Sequence, residues 1–119
     1  MIDDITIYLK KSIDSAQGGG IKPDKIIIDP GVGFGKTPVH NLKIIKHLAD
    51  FKTLGKPILV GPSRKSFIAK VLRSNSQSRT SGSLAACVMA SERGANIVRV
   101  HDVKEVNQSL KIADAVKKC

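Results

Sequence analysis

Lys25-Ile26-Ile27-Ile28-Asp29-Pro30-Gly31-Val32-Gly33-Phe34-Gly35-Lys36-Thr37-Pro38 reads as strand, carboxylate, glycine loop and helix start in immediate succession. A short run of β-branched apolar residues suits a strand buried on both faces. It ends in a carboxylate and a loop with three glycines, which let backbone come close to a ligand. Thr37 is placed to cap the next helix, with Pro38 at its first helical position.

The same unit recurs twice downstream. Pro57-Ile58-Leu59-Val60 makes a second strand, followed by Gly61-Pro62-Ser63-Arg64-Lys65-Ser66; Ile97-Val98-Arg99-Val100 makes a third, ending in His101-Asp102. Helices fill the intervals. Residues 2 to about 17 place Ile2, Ile5, Leu9, Ile13 and Ala16 on one side before Gly18-Gly19-Gly20 stops them. Leu42, Ile45, Leu48 and Ala49 mark a second helix closed by Gly55, and Phe67, Ile68, Val71 and Leu72 a third. Arg73 to Arg79 is a polar, Ser-rich loop. A small-residue helix from about Gly82 carries Leu84, Ala85, Val88 and Met89 and ends at Gly94. The last, about 103 to 117, turns Val106, Leu110, Ala113 and Val116 inward. Strands alternating with helices imply an α/β fold of parallel βαβ units. In such sheets ligand groups gather at the carboxyl ends of the strands, and here all three ends carry polar clusters.

The 119 residues suit one domain, 1–119, with 41% hydrophobic residues and only three Phe and one Tyr among the aromatics. No apolar run approaches the roughly 18 residues of a membrane span, and no signal peptide opens the chain. A soluble cytoplasmic protein without a membrane partner is the expectation. Cys87 and Cys119 have neither metal-ligand spacing nor a disulfide framework and read as free thiols. The net charge of +10 attracts phosphate groups of any kind. Its basic residues are scattered without aromatic interleaving, which argues against nucleic acid as the partner.

Each cluster also has a plainer reading. Asp29 before Pro30-Gly31 fits an Asx turn, and Arg64 and Lys65 fit solvated loop cations. Arg99 inside a strand run is costly unless paired or facing a ligand. His101 alone would read as a satisfied core histidine, and His40 and His47 as helix-surface residues. Gly31 to Thr37 also resembles a phosphate-binding P-loop through its Gly-Lys-Thr ending. Pro30, which has no N–H, stands where that loop needs its first glycine, and Lys36 stands where a dinucleotide fingerprint needs its third.

Taken together, Asp29 to Thr37, Gly61 to Ile68 and Ile97 to Val103 resemble dihydropteroate synthase, a pterin-binding TIM-barrel enzyme of folate synthesis. The resemblance implies a transferase that condenses 6-hydroxymethyl-7,8-dihydropterin diphosphate with p-aminobenzoate, giving dihydropteroate and diphosphate. It implies that Asp29 and Lys65 are catalytic and that they bind the pterin together with Phe34. Phe34, Pro62 and Ser66 would line the p-aminobenzoate pocket, where sulfonamide drugs bind, and Arg99 and His101 would hold the diphosphate. Arg64 would orient its loop or touch substrate. Mg²⁺ is the implied cofactor, with its protein ligand outside this chain and no metal ligand within it.

A complete barrel takes about 250 residues, and the three strands here resemble the sixth, seventh and eighth. The chain is therefore expected to be the C-terminal portion of a (β/α)8 barrel, inactive as a synthase by itself and prone to homodimerise or otherwise self-associate. The alternatives are a non-catalytic pterin- or diphosphate-binding fragment and a pterin-dependent methyltransferase domain.

Overall fold

The computed structural model describes residues 1–33, 37–63, 65–73 and 79–119. The described elements are α1 (Ile2–Gly18), a 3-10 turn (Pro23–Lys25), α2 (Pro38–Lys46), a 3-10 helix (Leu48–Leu54), β1 (Leu59–Val60), α3 (Ser66–Leu72), α4 (Arg79–Glu92), β2 (Ile97–Val98) and α5 (Val103–Lys118). The Thr37 hydroxyl accepts the His40 N–H at 3.2 Å, with Pro38 opening α2, so this helix starts as its sequence dictates. Gly55 (φ +73°) and Gly94 (φ +116°) supply the left-handed stops before the strands.

The sheet is parallel. β1 pairs with β2 in the register Leu59 to Ile97 and Val60 to Val98, and Ile28 bridges Ile58 on the other side of β1. Ile28 donates to the Pro57 carbonyl (3.0 Å) and accepts from Leu59 N–H (2.8 Å), while Arg99 N–H extends the far ladder to the Val60 carbonyl (2.9 Å). Asn96 reinforces that junction: its side chain accepts Ile58 N–H at 2.9 Å. The strands are shorter than their sequence suggests. Lys25 closes the 3-10 turn begun at Pro23 instead of opening a strand, and Pro57 has no N–H to return to the first segment. That segment is thus reduced to a single bridge at Ile28.

The sheet is also covered on one side only. Ile26, Ile28, Ile58, Val60 and Val98 point into the core with Leu9, Ile13, Ile44, Leu48, Phe51, Phe67 and Ile68. By alternation Ile27, Asp29, Leu59, Ile97 and Arg99 share the opposite face. Ile27 is 53% exposed and Ile97 38%, which corrects the expectation of a first strand buried on both faces. The Cα radius of gyration is 14.9 Å, against about 13.5 Å for a compact domain of this length, and the shortest extent is 21 Å. The molecule is a slab of helices against one face of a narrow sheet.

Several helices settle in a different phase from the one their apolar residues suggest. In α2 the buried face is Asn41, Ile44 and Ile45, continued by Leu48 and Phe51, whereas Leu42 and Ala49 are exposed. In α4 the buried positions are Ser83, Cys87 and Ala90, with Met89 exposed. In α3 Phe67 and Ile68 are buried while Val71 and Leu72 are exposed, and in α5 only Val106 is fully buried, Val116 being 71% exposed. Among them, Leu42, Leu72 and Met89 border an apolar groove of about 500 Å³ between α2, α3 and α4. Of the polar stretch Arg73 to Arg79, residues 74–78 lie outside the described residues, and Arg79 already belongs to α4.

Candidate functional site

Parallel connections bring the loops after Ile28, β1 and β2 to one end of the sheet. α2, α3 and α5 begin just beyond those loops, so their N-terminal dipole ends are turned toward this end. Three contacts stitch the loops together. The aliphatic stem of Lys65 lies over the backbone of Gly33: a Cβ at Gly33 would fall 2.9 Å from Lys65 Cδ. The Arg99 guanidinium lies over Gly61 in the same way, 3.0 Å from where a Cβ would stand. Ser63 Oγ is 2.9 Å from His101 Nδ1 and accepts the His101 main-chain N–H at 3.1 Å. Asp29, Lys65, Arg99 and His101 are therefore attached to one connected set of loops.

Arg99 illustrates how the local sequence permits this. Continuing the register puts Arg99 level with Gly61, the one neighbour with no side chain to obstruct it. Arg99 is exposed on the open face, so its place in a strand run leaves no buried charge to neutralise. Asp29 makes the Asx turn: its Oδ1 accepts Gly31 N–H at 2.8 Å, and Gly31 takes φ +81°. The plainer reading of Asp29 thus describes one of its oxygens. The carboxylate itself remains exposed at the sheet end.

Asn41 was not singled out by sequence and Ser63 stood in the second polar cluster without a role of its own; both organise this end. Asn41 is 3% exposed and its Oδ1 accepts Gly33 N–H at 2.7 Å, fixing the glycine loop to the first turn of α2. A polar residue in phase with Ile44, Ile45 and Leu48 was the available signal. Ser63 is 2% exposed, buried beneath its loop next to Pro62, which is also fully buried. Lys65 is half-buried and precedes Ser66, the exposed first residue of α3. Phe34 and Arg64 lie outside the described residues. His40 and His47 are exposed on or beside α2, as their spacing suggests. Cys87 and Cys119 are free thiols; burial pushes the Cys87 thiol up to about 11.

The groove between α2, α3 and α4 is lined by none of Asp29, Lys65, Arg99 or His101. Among the described residues no group of three or more His, Cys, Asp or Glu is placed to hold a metal ion. Among them, too, no helix is long and apolar enough to cross a membrane.

A parallel sheet with a carboxylate, a lysine and an Arg-His pair on interlocked loops at one end fits a family defined by its ligand: the chain belongs to the pterin binding enzymes, whose family profile matches residues 1–101. Within that class its similarity is to dihydropteroate synthases. The protein of that name from Synechocystis is 44% identical over 117 residues, covering 98% of this chain and 40% of the relative. A solved Yersinia pestis dihydropteroate synthase in complex with a sulfonamide drug superposes with a TM-score of 0.95 at 38% identity, covering 98% of this chain and 43% of that one. The Xanthomonas albilineans enzyme in complex with 7,8-dihydropteroate does so with a TM-score of 0.96 at 36% identity, covering 99% and 47%. The chain thus spans less than half the length of these proteins.

Proposed function

We propose that this chain supplies one side of a dihydropteroate synthase active site, as the part of the barrel that carries its sixth to eighth strands. The observation that carries this reading is the interlocking of the three loops through Gly33 and Lys65, Gly61 and Arg99, and Ser63 and His101. The substrates are the dihydropterin diphosphate and p-aminobenzoate, and the step belongs to folate biosynthesis. The amine nitrogen of p-aminobenzoate bonds to the pterin methylene carbon, that carbon's bond to the diphosphate oxygen breaks, and the amine loses a proton.

Asp29 is assigned to the pterin ring, where its carboxylate stabilises the positive charge that grows on the pterin as diphosphate departs. Lys65, with its stem fixed over Gly33, directs its ammonium to the same ring, and Phe34 completes that subsite. Phe34, Pro62 and Ser66 are assigned to p-aminobenzoate and hence to sulfonamides. Arg99 and His101, beside the N-terminus of α5, receive the leaving diphosphate, whose charge suits a guanidinium, a ring N–H and a helix start. Because only one side of the site is present, the purified chain is expected to show no turnover; measurable formation of dihydropteroate would overturn that. The open sheet face is expected to drive self-association.

Calorimetry tests the assignment with two ligands. Pterin diphosphate binding should weaken at least about tenfold in both Asp29→Asn and Arg99→Ala, a loss of about 1.4 kcal/mol each. Inorganic pyrophosphate should respond to Arg99→Ala and not to Asp29→Asn. Equal binding of pterin diphosphate by wild type and both variants would remove the reading.

A further inference from the structure

We infer that Ser63 is a positioning residue that sets the tautomer of His101: its hydroxyl donates to Nδ1, so the neutral ring carries its proton on Nε2 and offers that N–H to an anion. The inference rests on the diphosphate reading only for the identity of the anion. Its basis is a count of protons and lone pairs at one buried atom. A serine hydroxyl has one proton and two acceptor lone pairs. Ser63 Oγ spends one lone pair on the His101 main-chain N–H at 3.1 Å, and its remaining neighbour is His101 Nδ1 at 2.9 Å. Among the described residues it has no other partner, and Ser63 is 2% exposed. If Nδ1 carried the proton and donated it to the second lone pair, the hydroxyl proton would be left buried with no acceptor among the described residues, which costs more than an ordinary hydrogen bond gains. With the hydroxyl donating to Nδ1, the hydroxyl, the ring nitrogen and the His101 main-chain N–H are all satisfied.

The consequence lies on the other side of the ring. His101 is exposed and sits one residue before Asp102, which precedes α5. A ring held in this tautomer presents a donor while uncharged, so it complements the exposed Arg99 without adding a second cation beside it. Because Ser63 also accepts the His101 backbone N–H, one side chain fixes both the position of the residue and the state of its ring.

Long-range proton–nitrogen NMR of the ¹⁵N-labelled chain, at a pH where the ring is neutral, reads the tautomer directly. The His101 signals are assigned by their loss in His101→Gln. Wild type should show the Nε2–H form in large excess. Ser63→Ala should shift the ring toward a mixture and weaken inorganic pyrophosphate binding by about tenfold, the loss of roughly one charge-assisted hydrogen bond. Ser63→Thr, which keeps the hydroxyl, should restore both. Two results overturn the inference: a wild-type ring protonated on Nδ1, or a Ser63→Ala ring with an unchanged tautomer ratio. Where Ser63→Ala does not fold, the wild-type and Ser63→Thr spectra decide alone, since an Nδ1–H form in either refutes it. Wild type that binds no pyrophosphate counts against the diphosphate reading, and the tautomer measurement still judges Ser63.

Discussion

On the helix-covered face of the sheet Ile28, Ile58 and Val60 are 4%, 1% and 0% exposed, while on the other face Ile27 and Ile97 keep 53% and 38% of their surface. The residues are of one chemical kind, so the difference is positional. The covered face holds the chain together through Phe51, Ile44 and Leu48. The open face carries Asp29 and Arg99 and runs straight into the interlocked loops. The core and the candidate site are thus on opposite sides of a sheet that, among the described residues, is two strands and a bridge wide. Substitutions on the two sides should separate accordingly.

The largest effect is expected at the centre of the covered side. Phe51 is fully buried in the 3-10 helix, and Phe51→Ala should cost about 3 to 5 kcal/mol, enough to abolish cooperative unfolding of a small domain. Ile27→Ala, on the open side, should cost well under about 1 kcal/mol, since little apolar surface is lost from the core. Equal losses of denaturation midpoint in urea would erase the distinction between the faces.

Next come substitutions at the seam between core and site. Asn41→Ala removes the acceptor of Gly33 N–H in a buried setting, at a cost of about 1 to 3 kcal/mol. Gly33→Ala places a methyl 2.9 Å from Lys65 Cδ on a backbone at φ +91°, for about 1 to 2 kcal/mol plus displacement of the lysine stem. Both should weaken pterin diphosphate binding by a larger factor than the distant, exposed Ile112→Ala on α5 does. A variant that loses stability and keeps full affinity would detach this seam from the site.

A smaller effect concerns the open face itself. Wild type should sediment above monomer mass at micromolar concentration, and Ile27→Lys with Ile97→Lys should return it toward monomer with stability changed by no more than about 0.5 kcal/mol. A stable wild-type monomer would count against association through this face.

Much of this arrangement was legible in the sequence, and the failures have physical causes. Parallel βαβ order, the Thr37 and Pro38 helix start, and the polar clusters at the strand ends follow from local chemistry that the fold preserves. Sidedness was not legible. A run such as Ile26-Ile27-Ile28 has no alternation to report which face is covered, and that depends on how much chain packs against it. Helix phase failed where apolar residues are plentiful: in α2 both Leu42 and Ile44 are good core residues, and the buried choice includes Asn41 because its amide holds Gly33. That Arg99 lies over Gly61 was not legible either, because the neighbour across the ladder cannot be seen along the chain.

The smallest expected effect lies within the covered side and carries a definite sign. Cys87 is wholly buried in α4, and burial raises its thiol from 9.0 to about 11 because the thiolate would lose its hydration. The folded chain therefore keeps a proton that the unfolded chain releases. Above pH 9 the unfolded state binds fewer protons, so stability contributed by this group is complete below that pH and falls as pH rises toward 11. Cys87→Ala removes one titration and leaves the rest, so the stability gap between the two proteins should shrink or reverse between pH 9 and 11 while staying constant from pH 6 to 8. A gap that is flat through pH 11 would mean that the thiol ionises equally in both states, and that the helix layer over this face opens to water more readily than its packing suggests.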